Sequence, residues 1–199
     1  MGPLVSTRDL SRREAVGRVV VGIARGAIAQ ALGLNGAIRP IEPWLRKPRA
    51  NFVTLMHRGE LRGCIGSLTA RQPLVDDLAM NARHAAFQDP RFAPLGTHEF
   101  AELRVEISLL GRPSPLLFRD QAHALAQLRP FVDGVILEYG RHRGTFLPQV
   151  WAHLPEPSDF FRHLKVKAGL SADLWTEDIR LFRYRARKFS EPMNDDPYE

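Results

Sequence analysis

A short polar turn between two strand-like segments is the feature that most narrows the choice of fold. The segment "NFVTLMH" (51–57) is rich in residues that favour strands, and "LRGCIGSL" (61–68) has the composition of a returning strand. Only "RGE" (58–60) separates the two segments. Parallel strands need a much longer crossover, so these two can pair only as an antiparallel hairpin. Such tight loops favour an α+β fold over a doubly wound parallel sheet.

Helical and strand-like patterns alternate along the rest of the chain, which predicts mostly antiparallel sheets with flanking helices. Apolar residues at helical spacing predict a helix over 11–32, with a capping box at Ser11 and Glu14 and a C-terminal cap at Gly33. "ELRVEISLL" alternates strictly, as a half-buried strand does. A second hairpin is predicted from "VDGVILEYG" and "GTFLPQV", and one basic strand over 179–189. Three further helices are predicted at 73–86, 119–128 and 158–169.

The composition indicates a folded protein without covalent or metal staples. The chain has 199 residues, of which 44% are hydrophobic and 25% charged, as in ordinary globular proteins. Its single cysteine excludes an internal disulfide and a multi-cysteine zinc site. No nucleotide-binding glycine loop is present, and we expect neither a metal nor a cofactor. Arg18 and Arg25 interrupt the apolar N-terminal stretch, so we expect an amphipathic helix in a cytoplasmic protein with no membrane span.

The charge balance raises the question of anionic partners. The formal net charge is +6, from 28 Lys and Arg against 22 Asp and Glu. Most of the excess is spread as single arginines, and only "RLFRYRARK" (180–188) concentrates it. Such a stretch marks either a nucleic-acid surface or a strand edge that carries charge to prevent edge-to-edge pairing. We prefer the second interpretation and do not expect nucleic acid as a partner.

The only cysteine lies in the predicted returning strand. Alternate strand residues share a face, so Arg62 and Cys64 should point the same way while Leu61 and Ile65 point into the core. A nearby guanidinium stabilises a thiolate and lowers the pKa of the thiol, and the thiolate is the nucleophile. Cys64 is therefore a candidate nucleophile, with buried packing as the alternative, because free cysteine is among the most buried residue types.

Two glycines flank this cysteine and need a reason, since glycine weakens a strand. One reason for Gly63 and Gly66 is the close approach of a ligand or of another backbone segment. The other is a β-bulge. If the glycines leave room for a ligand, Cys64 is a solvent-reachable thiol, which is the hypothesis we carry forward.

Candidates for the other catalytic and binding groups are less specific. A general base would ordinarily be a histidine, and His84, on the helix after the cysteine strand, is the first choice among seven. A histidine on a helix is more often a surface or core residue. Asp133, before Gly134, is a second candidate polar group. In "DPRF" (89–92) an aspartate turn would hold Arg91, and a structural role is the default.

Several motifs taken in order resemble the AMMECR family over residues 10 to 190. They are "LRGCIGSL", "AAFQDPRFAPL", "ELRVEISLL", "VDGVILEYG", "GTFLPQVW" and "FFRHLKVKAGL", followed by Trp175. The closest resemblance is to the bacterial branch called AmmeMemoRadiSam system protein A. It implies a single AMMECR domain over 1–199, with a larger subdomain built from both chain ends and a smaller one inserted from the middle. The acidic tail over 191–199 is expected to be disordered.

The resemblance also implies a set of site residues and partners. The family signature maps onto 61–66, and its other motifs place Arg91 and Gln149 with Arg62, Gly63 and Gly66 as binding residues. Some members carry a histidine where this chain has Asp133, so a role as base does not transfer. Members are commonly encoded beside a Memo-like protein and a radical S-adenosylmethionine protein.

Three functions stay open at this point. The first is an enzyme or enzyme component that uses the Cys64 thiolate on a small anionic substrate held by Arg62 and Arg91. The second is a non-catalytic binding or scaffold protein for the Memo-like and radical S-adenosylmethionine partners. The third, nucleic-acid binding, depends on the basic segment alone.

Overall fold

The computed structural model describes residues 7–36 and 42–191, with side chains from Ser11 onward. The predicted tail over 191–199 therefore lies outside the described residues, apart from Glu191. None of the described helices is both long enough and apolar enough to cross a lipid bilayer.

The chain divides into two compact units. The first unit comprises the residues up to Leu109 and those from Arg187 onward, and the second comprises Leu110–Ala186. The helices and strands, in chain order, are α1 (Thr7–Ala31), β1 (Asn51–His57), β2 (Glu60–Ser67), α2 (Leu74–Phe87), β3 (Leu103–Leu110), β4 (Ser114–Leu116), α3 (Gln121–Ala126), β5 (Gly134–Tyr139), β6 (His142–Phe146), α4 (Pro157–Lys167), β7 (Arg180–Tyr184) and β8 (Ala186–Ser190).

The first unit is a four-stranded sheet whose core is shared with two helices. The strand order is β2-β1-β3-β8, and β1 pairs antiparallel with both β2 and β3. One face of the sheet is buried in a cluster that contains α1 and α2 side chains, as strand alternation requires. Phe189 of β8 belongs to the same cluster as Val20 and Ile28 of α1, so both chain ends contribute to one core.

The predicted hairpin of β1 and β2 is confirmed, but it contains an irregularity that the sequence did not reveal. Leu55 pairs with Gly63, whereas Met56 pairs with Leu61, so Arg62 is an extra residue in β2. A bulge of this kind shifts the side-chain alternation by one residue. The expectation that Leu61 points into the core is therefore wrong, and its side chain is 41% exposed.

The ends of α1 match the sequence prediction at one terminus only. The helix begins at Thr7, so Ser11 and Glu14 lie inside it and the predicted capping box is wrong. Residues 7–10 continue the helix upstream of the capping signal. At the other end Gly33 has φ +73, which confirms the predicted left-handed cap.

The second unit is also a four-stranded sheet, in the order β4-β7-β5-β6. Its predicted hairpin is confirmed as the antiparallel pair β5 and β6. The second predicted strand ends at Phe146 and continues as a short 3-10 turn over Pro148–Ala152, because proline cannot donate to a strand ladder. The core of this unit includes Trp151, whose ring stacks on Phe160 at 3.7 Å.

The predicted basic strand over 179–189 is two strands in two different sheets. Leu181 and Tyr184 are buried in the second unit, whereas Phe189 is buried in the first. The first of these strands ends at Tyr184 and the second begins at Ala186, so the break lies at the exposed Arg185. The predicted fold class, α+β with mostly antiparallel sheets and flanking helices, is confirmed.

Candidate functional site around Cys64

The Cys64 side chain lies on the face of β2 opposite the helices and is half-buried. Its register partner in β1 is Thr54, and the thiol sulfur is 3.3 Å from the Thr54 hydroxyl oxygen, within hydrogen-bonding distance. The core-facing neighbours in β2 are Gly63 and Ile65. Cys64 is therefore not part of the packed core of this unit.

Asp89 fixes the backbone of Cys64 from the loop that follows α2. Its carboxylate, 2% exposed, accepts a hydrogen bond from the Cys64 N–H at 2.9 Å. It also accepts from the backbone N–H of Arg91 at 3.2 Å and from the guanidinium at 2.9 and 2.6 Å. The Arg91 guanidinium holds the pKa of Asp89 well below its ordinary value, although burial acts in the opposite direction. The predicted aspartate turn thus exists and is tied to the cysteine strand.

Arg91 is the arginine that interacts electrostatically with Cys64. Its side chain is 52% exposed, and its Nη2 lies 3.5 Å from the Cys64 carbonyl oxygen. The hydrogen bonds to Asp89 raise the pKa of Arg91, and the charge of an ionised Cys64 thiol raises it further. An arginine that is stabilised by a thiolate stabilises that thiolate in return.

Arg62 has a different partner from the one the strand pattern suggested. Its Nε and Nη2 donate to the carboxylate of Glu99 at 2.7 and 3.1 Å, and both side chains are 14% exposed. The Arg62 guanidinium lowers the pKa of Glu99 to about 2. The Nη1 of Arg62 is buried without an acceptor among the described residues. The influence of Arg62 on the thiol stays a prediction, and the carboxylate of Glu99 already neutralises its charge.

The two glycines of the signature are required by packing. A Cβ at Gly63 would overlap the carbonyl oxygen of Ala85 in α2, and a Cβ at Gly66 would overlap the ring of Phe52. Two of the reasons considered for Gly63 are present, because another backbone segment approaches closely and the bulge residue Arg62 lies directly before it. A role for either glycine in substrate binding is untested, and neither needs a ligand to explain it.

The remaining predicted site residues form no hydrogen bond or ion pair with Cys64 in the described parts of the chain. His84 is a half-buried residue of α2, and its ring makes no hydrogen bond or ion pair with those residues. Asp133 lies in the second unit, where its buried carboxylate accepts three hydrogen bonds from Arg129. Gln149 is exposed in the 3-10 turn of the same unit.

Sequence reasoning missed Thr54, and the bulge explains why. Counting back from the hairpin turn without a bulge would place Thr54 opposite Gly63, and the extra residue Arg62 moves it opposite Cys64. Glu99 gave no local signal, because it lies 37 positions from Arg62. No group of three or more metal-ligating side chains occurs within residues 11–36 and 42–191.

The sequence motifs and the fold agree with comparisons to known proteins. The family model described as AMMECR1 matches residues 21–189. The chain belongs to the AMMECR1 family. An AMMECR1 relative from Methanothermobacter thermautotrophicus is 39% identical over 189 residues, which cover 92% of this chain and 96% of the relative. A relative from Methanococcus aeolicus is 34% identical over 180 residues, which cover 88% and 90% of the two chains.

A solved structure shares the AMMECR1 fold seen here. The crystal structure of uncharacterized protein PH0010 from Pyrococcus horikoshii matches with a TM-score of 0.80 and 32% identity. The match covers 88% of this chain and 91% of that chain. The resemblance stated from the sequence motifs is therefore confirmed at the level of the AMMECR1 family and its α+β fold.

Proposed function

We propose that this AMMECR1 protein is a thiol-dependent enzyme or enzyme component in which Cys64 is the nucleophile. The observation that carries the proposal is the half-buried thiol 3.3 Å from the Thr54 hydroxyl, outside the packed core. Asp89 fixes the backbone beneath the thiol. Nucleophilic cysteines are typically held in partly exposed, electropositive surroundings, whereas packing cysteines are enclosed by apolar side chains.

Thr54 and Arg91 have separate roles in this proposal. The Thr54 hydroxyl donates a hydrogen bond to the thiolate, and the Arg91 guanidinium supplies the compensating charge. Because Arg91 is 52% exposed, its outward N–H groups are also available to a small anionic substrate. His84 has no role as a base in this proposal, since no hydrogen bond joins its ring to the thiol among the described residues.

The rate of alkylation by iodoacetamide as a function of pH tests the proposal. The native thiol should react faster near neutral pH than a free cysteine does. Arg91→Ala should slow the reaction near neutral pH several-fold, whereas Arg62→Ala, the matched control, should change it less, because the Arg91 guanidinium interacts with the thiolate charge and the Arg62 guanidinium is bonded to Glu99. Resistance of the native thiol until the protein unfolds would show that Cys64 is packing and would remove the nucleophile.

Covalent capture gives an independent readout of catalysis. Wild-type protein incubated with a small-molecule extract should form a thiol adduct visible by intact-mass spectrometry. Cys64→Ser preserves the volume of the side chain, so it should stay folded and form no adduct.

A second candidate function, recognition of partner proteins, is favoured by one turn of the second unit. Phe131 is 64% exposed and Val132 is 40% exposed, and the turn that carries them is closed by Arg129 and Asp133. An exposed aromatic on a rigid turn is typical of a protein contact. We propose as partners the Memo-like and radical S-adenosylmethionine proteins of a bacterial AmmeMemoRadiSam system, in the cytoplasm. Direct binding measurements with each purified partner should show weaker binding by Phe131→Asp.

The basic segment does not support a third function. Arg180 forms an ion pair with Glu138 at 3.2 Å in the second unit, and Lys188 forms one with Glu106 at 2.6 Å in the first. Paired cations on two different sheets favour the interpretation that these charges protect strand edges.

A further inference from the structure

The first unit contains a cavity whose lining is made largely of charged side chains. Its volume is about 580 Å³, within the range of small-molecule sites, and it lies where β1 ends and β3 begins. The charged residues of its lining are Arg25, Arg58, Arg104, Glu102, Glu106 and Glu191. None of the residues proposed above for thiol chemistry lines it.

Two of the three arginines in this lining already donate hydrogen bonds to the protein. Arg25 donates to the carbonyl oxygens of Leu103 and Phe100 at 2.9 and 3.1 Å and to Glu191 at 3.1 Å. Arg58 donates through Nε and Nη2 to both carboxylate oxygens of Glu102.

Arg104 is different, because its guanidinium makes no hydrogen bond within the described residues. The nearest carboxylate oxygen, on Glu106, is 4.0 Å from its Nη2, and the other oxygen of Glu106 lies 2.6 Å from the Lys188 ammonium. The Nε of Arg104 is buried and has no acceptor in the described part of the chain. The side chain is nevertheless 38% exposed, so the outer end of the guanidinium faces the open space.

We infer that this cavity binds a small molecule through one carboxylate or phosphate group, with Arg104 as the anchor. Guanidinium groups bind such oxyanions through two parallel hydrogen bonds, and Arg104 is the one arginine of this lining whose guanidinium makes no hydrogen bond within the described residues. The three carboxylates of the lining each accept from a cation already. Three positive and three negative lining charges cancel, so the cavity suits a singly charged group rather than a polyphosphate.

Glu106 of the cavity lining lies on the same sheet face as Cys64, whereas Arg25 comes from α1, and the cavity forms a separate site. Glu106 and Cys64 are both register partners of Thr54, in β3 and β2 respectively, so their side chains share one face two strands apart. Binding at Arg104 therefore does not require the thiol, and its test does not depend on the proposed nucleophile.

Nuclear magnetic resonance titration of the full chain tests the inference, with inorganic phosphate and acetate as separate probes at constant ionic strength. At least one probe should shift the side-chain Nε–H resonance of Arg104 to saturation. The probe that does so, phosphate or acetate, identifies the class of anion. Arg104→Gln, followed through the backbone amide of Gly59 in the same lining, should weaken the affinity by about tenfold or more, because the charge-assisted hydrogen bonds are lost. Arg58→Gln is the matched control and should change the affinity less than about twofold, because Glu102 already occupies that guanidinium.

Two results would overturn the inference. One is a wild-type titration in which the Arg104 resonance does not saturate with either probe, and this result needs no variant to fold. The other is equal affinity of Arg104→Gln and wild type. Cys64→Ser should bind the probe as the wild type does, so a failure of the thiol proposal alone leaves this result unchanged.

Discussion

The first unit holds Asp89 against Arg91, and the second unit holds Asp133 against Arg129. Both carboxylates are nearly inaccessible, at 2% and 1% exposure, and both arginines are about half exposed. The shortest contact is 2.6 Å in each pair. The difference lies in the remaining bonds. Among the described residues the Asp133 carboxylate accepts only from Arg129, four positions earlier, whereas Asp89 also accepts from the backbone N–H of Cys64, 25 positions earlier.

The same kind of aspartate–arginine pair therefore has a different structural role in each unit. Around Asp133 it closes a local turn and presents Phe131 to solvent. Around Asp89 it ties a surface turn to the strand that carries the thiol, so the position of Arg91 relative to Cys64 is fixed. A buried aspartate can position a distant site only when one of its carboxylate oxygens also accepts a hydrogen bond from a second segment of the chain.

The largest expected effect compares Asp89→Ala with Asp133→Ala. Each should lower the free energy of unfolding by about 3 kcal/mol, because each removes hydrogen bonds to a buried charge. Only Asp89→Ala should also accelerate alkylation of Cys64 near neutral pH, since it removes a nearby negative charge and frees Arg91 to stabilise the thiolate. Urea unfolding and iodoacetamide kinetics measure the two quantities. Equal effects of both variants on the thiol would contradict the comparison.

The stability of the protein in acid gives a further test, because the first unit contains a second carboxylate whose pKa is lowered. The pKa of Glu99 is about 2 in the folded protein against an ordinary 4.5. A lowered folded pKa means that the stabilisation is present above about pH 4.5 and is lost as the pH falls towards about 2.

Glu99→Gln should therefore flatten the acid dependence of unfolding by about 1–2 kcal/mol, after allowance for solvent screening. Urea unfolding at about pH 6 and about pH 3 measures this dependence, with wild type as the reference. An unchanged difference between the two pH values in Glu99→Gln would show that the pair with Arg62 adds nothing in acid.

The smallest expected effect concerns the turn that Asp133 closes. Phe131 has φ +62, a left-handed conformation that costs a bulky residue free energy and that glycine adopts freely. Phe131→Gly should raise the free energy of unfolding by about 0.5 kcal/mol, because the relief of strain exceeds the added freedom of the unfolded chain. Val132→Gly is the control, because Val132 has no positive φ to relieve, and this variant should lower the free energy of unfolding. Equal losses in both variants would show that Phe131 carries no strain.

Prediction from the sequence succeeded where the signal was local. The hairpin of β1 and β2, the alternating strand β3 and the cap at Gly33 each depend on residues within a few positions of one another. The site was predicted only in part. Arg91 and its aspartate turn were identified, but the turn's bond to Cys64 was not, and Asp133 was a candidate catalytic group although its carboxylate is occupied by Arg129.

The antiparallel hairpin, the α+β class, the family and the single thiol could all be read from the linear chain. They follow from its composition, the spacing of its apolar residues and the order of its motifs. The folded structure was needed to show that Arg62 pairs with Glu99, that Gly63 makes room for the backbone of α2, and that the basic segment divides between two sheets. The physical reason is that a guanidinium pairs with whichever carboxylate the folded chain brings within reach. Local spacing does not encode a partner 37 positions away, and one bulge residue is enough to change which side chains share a face.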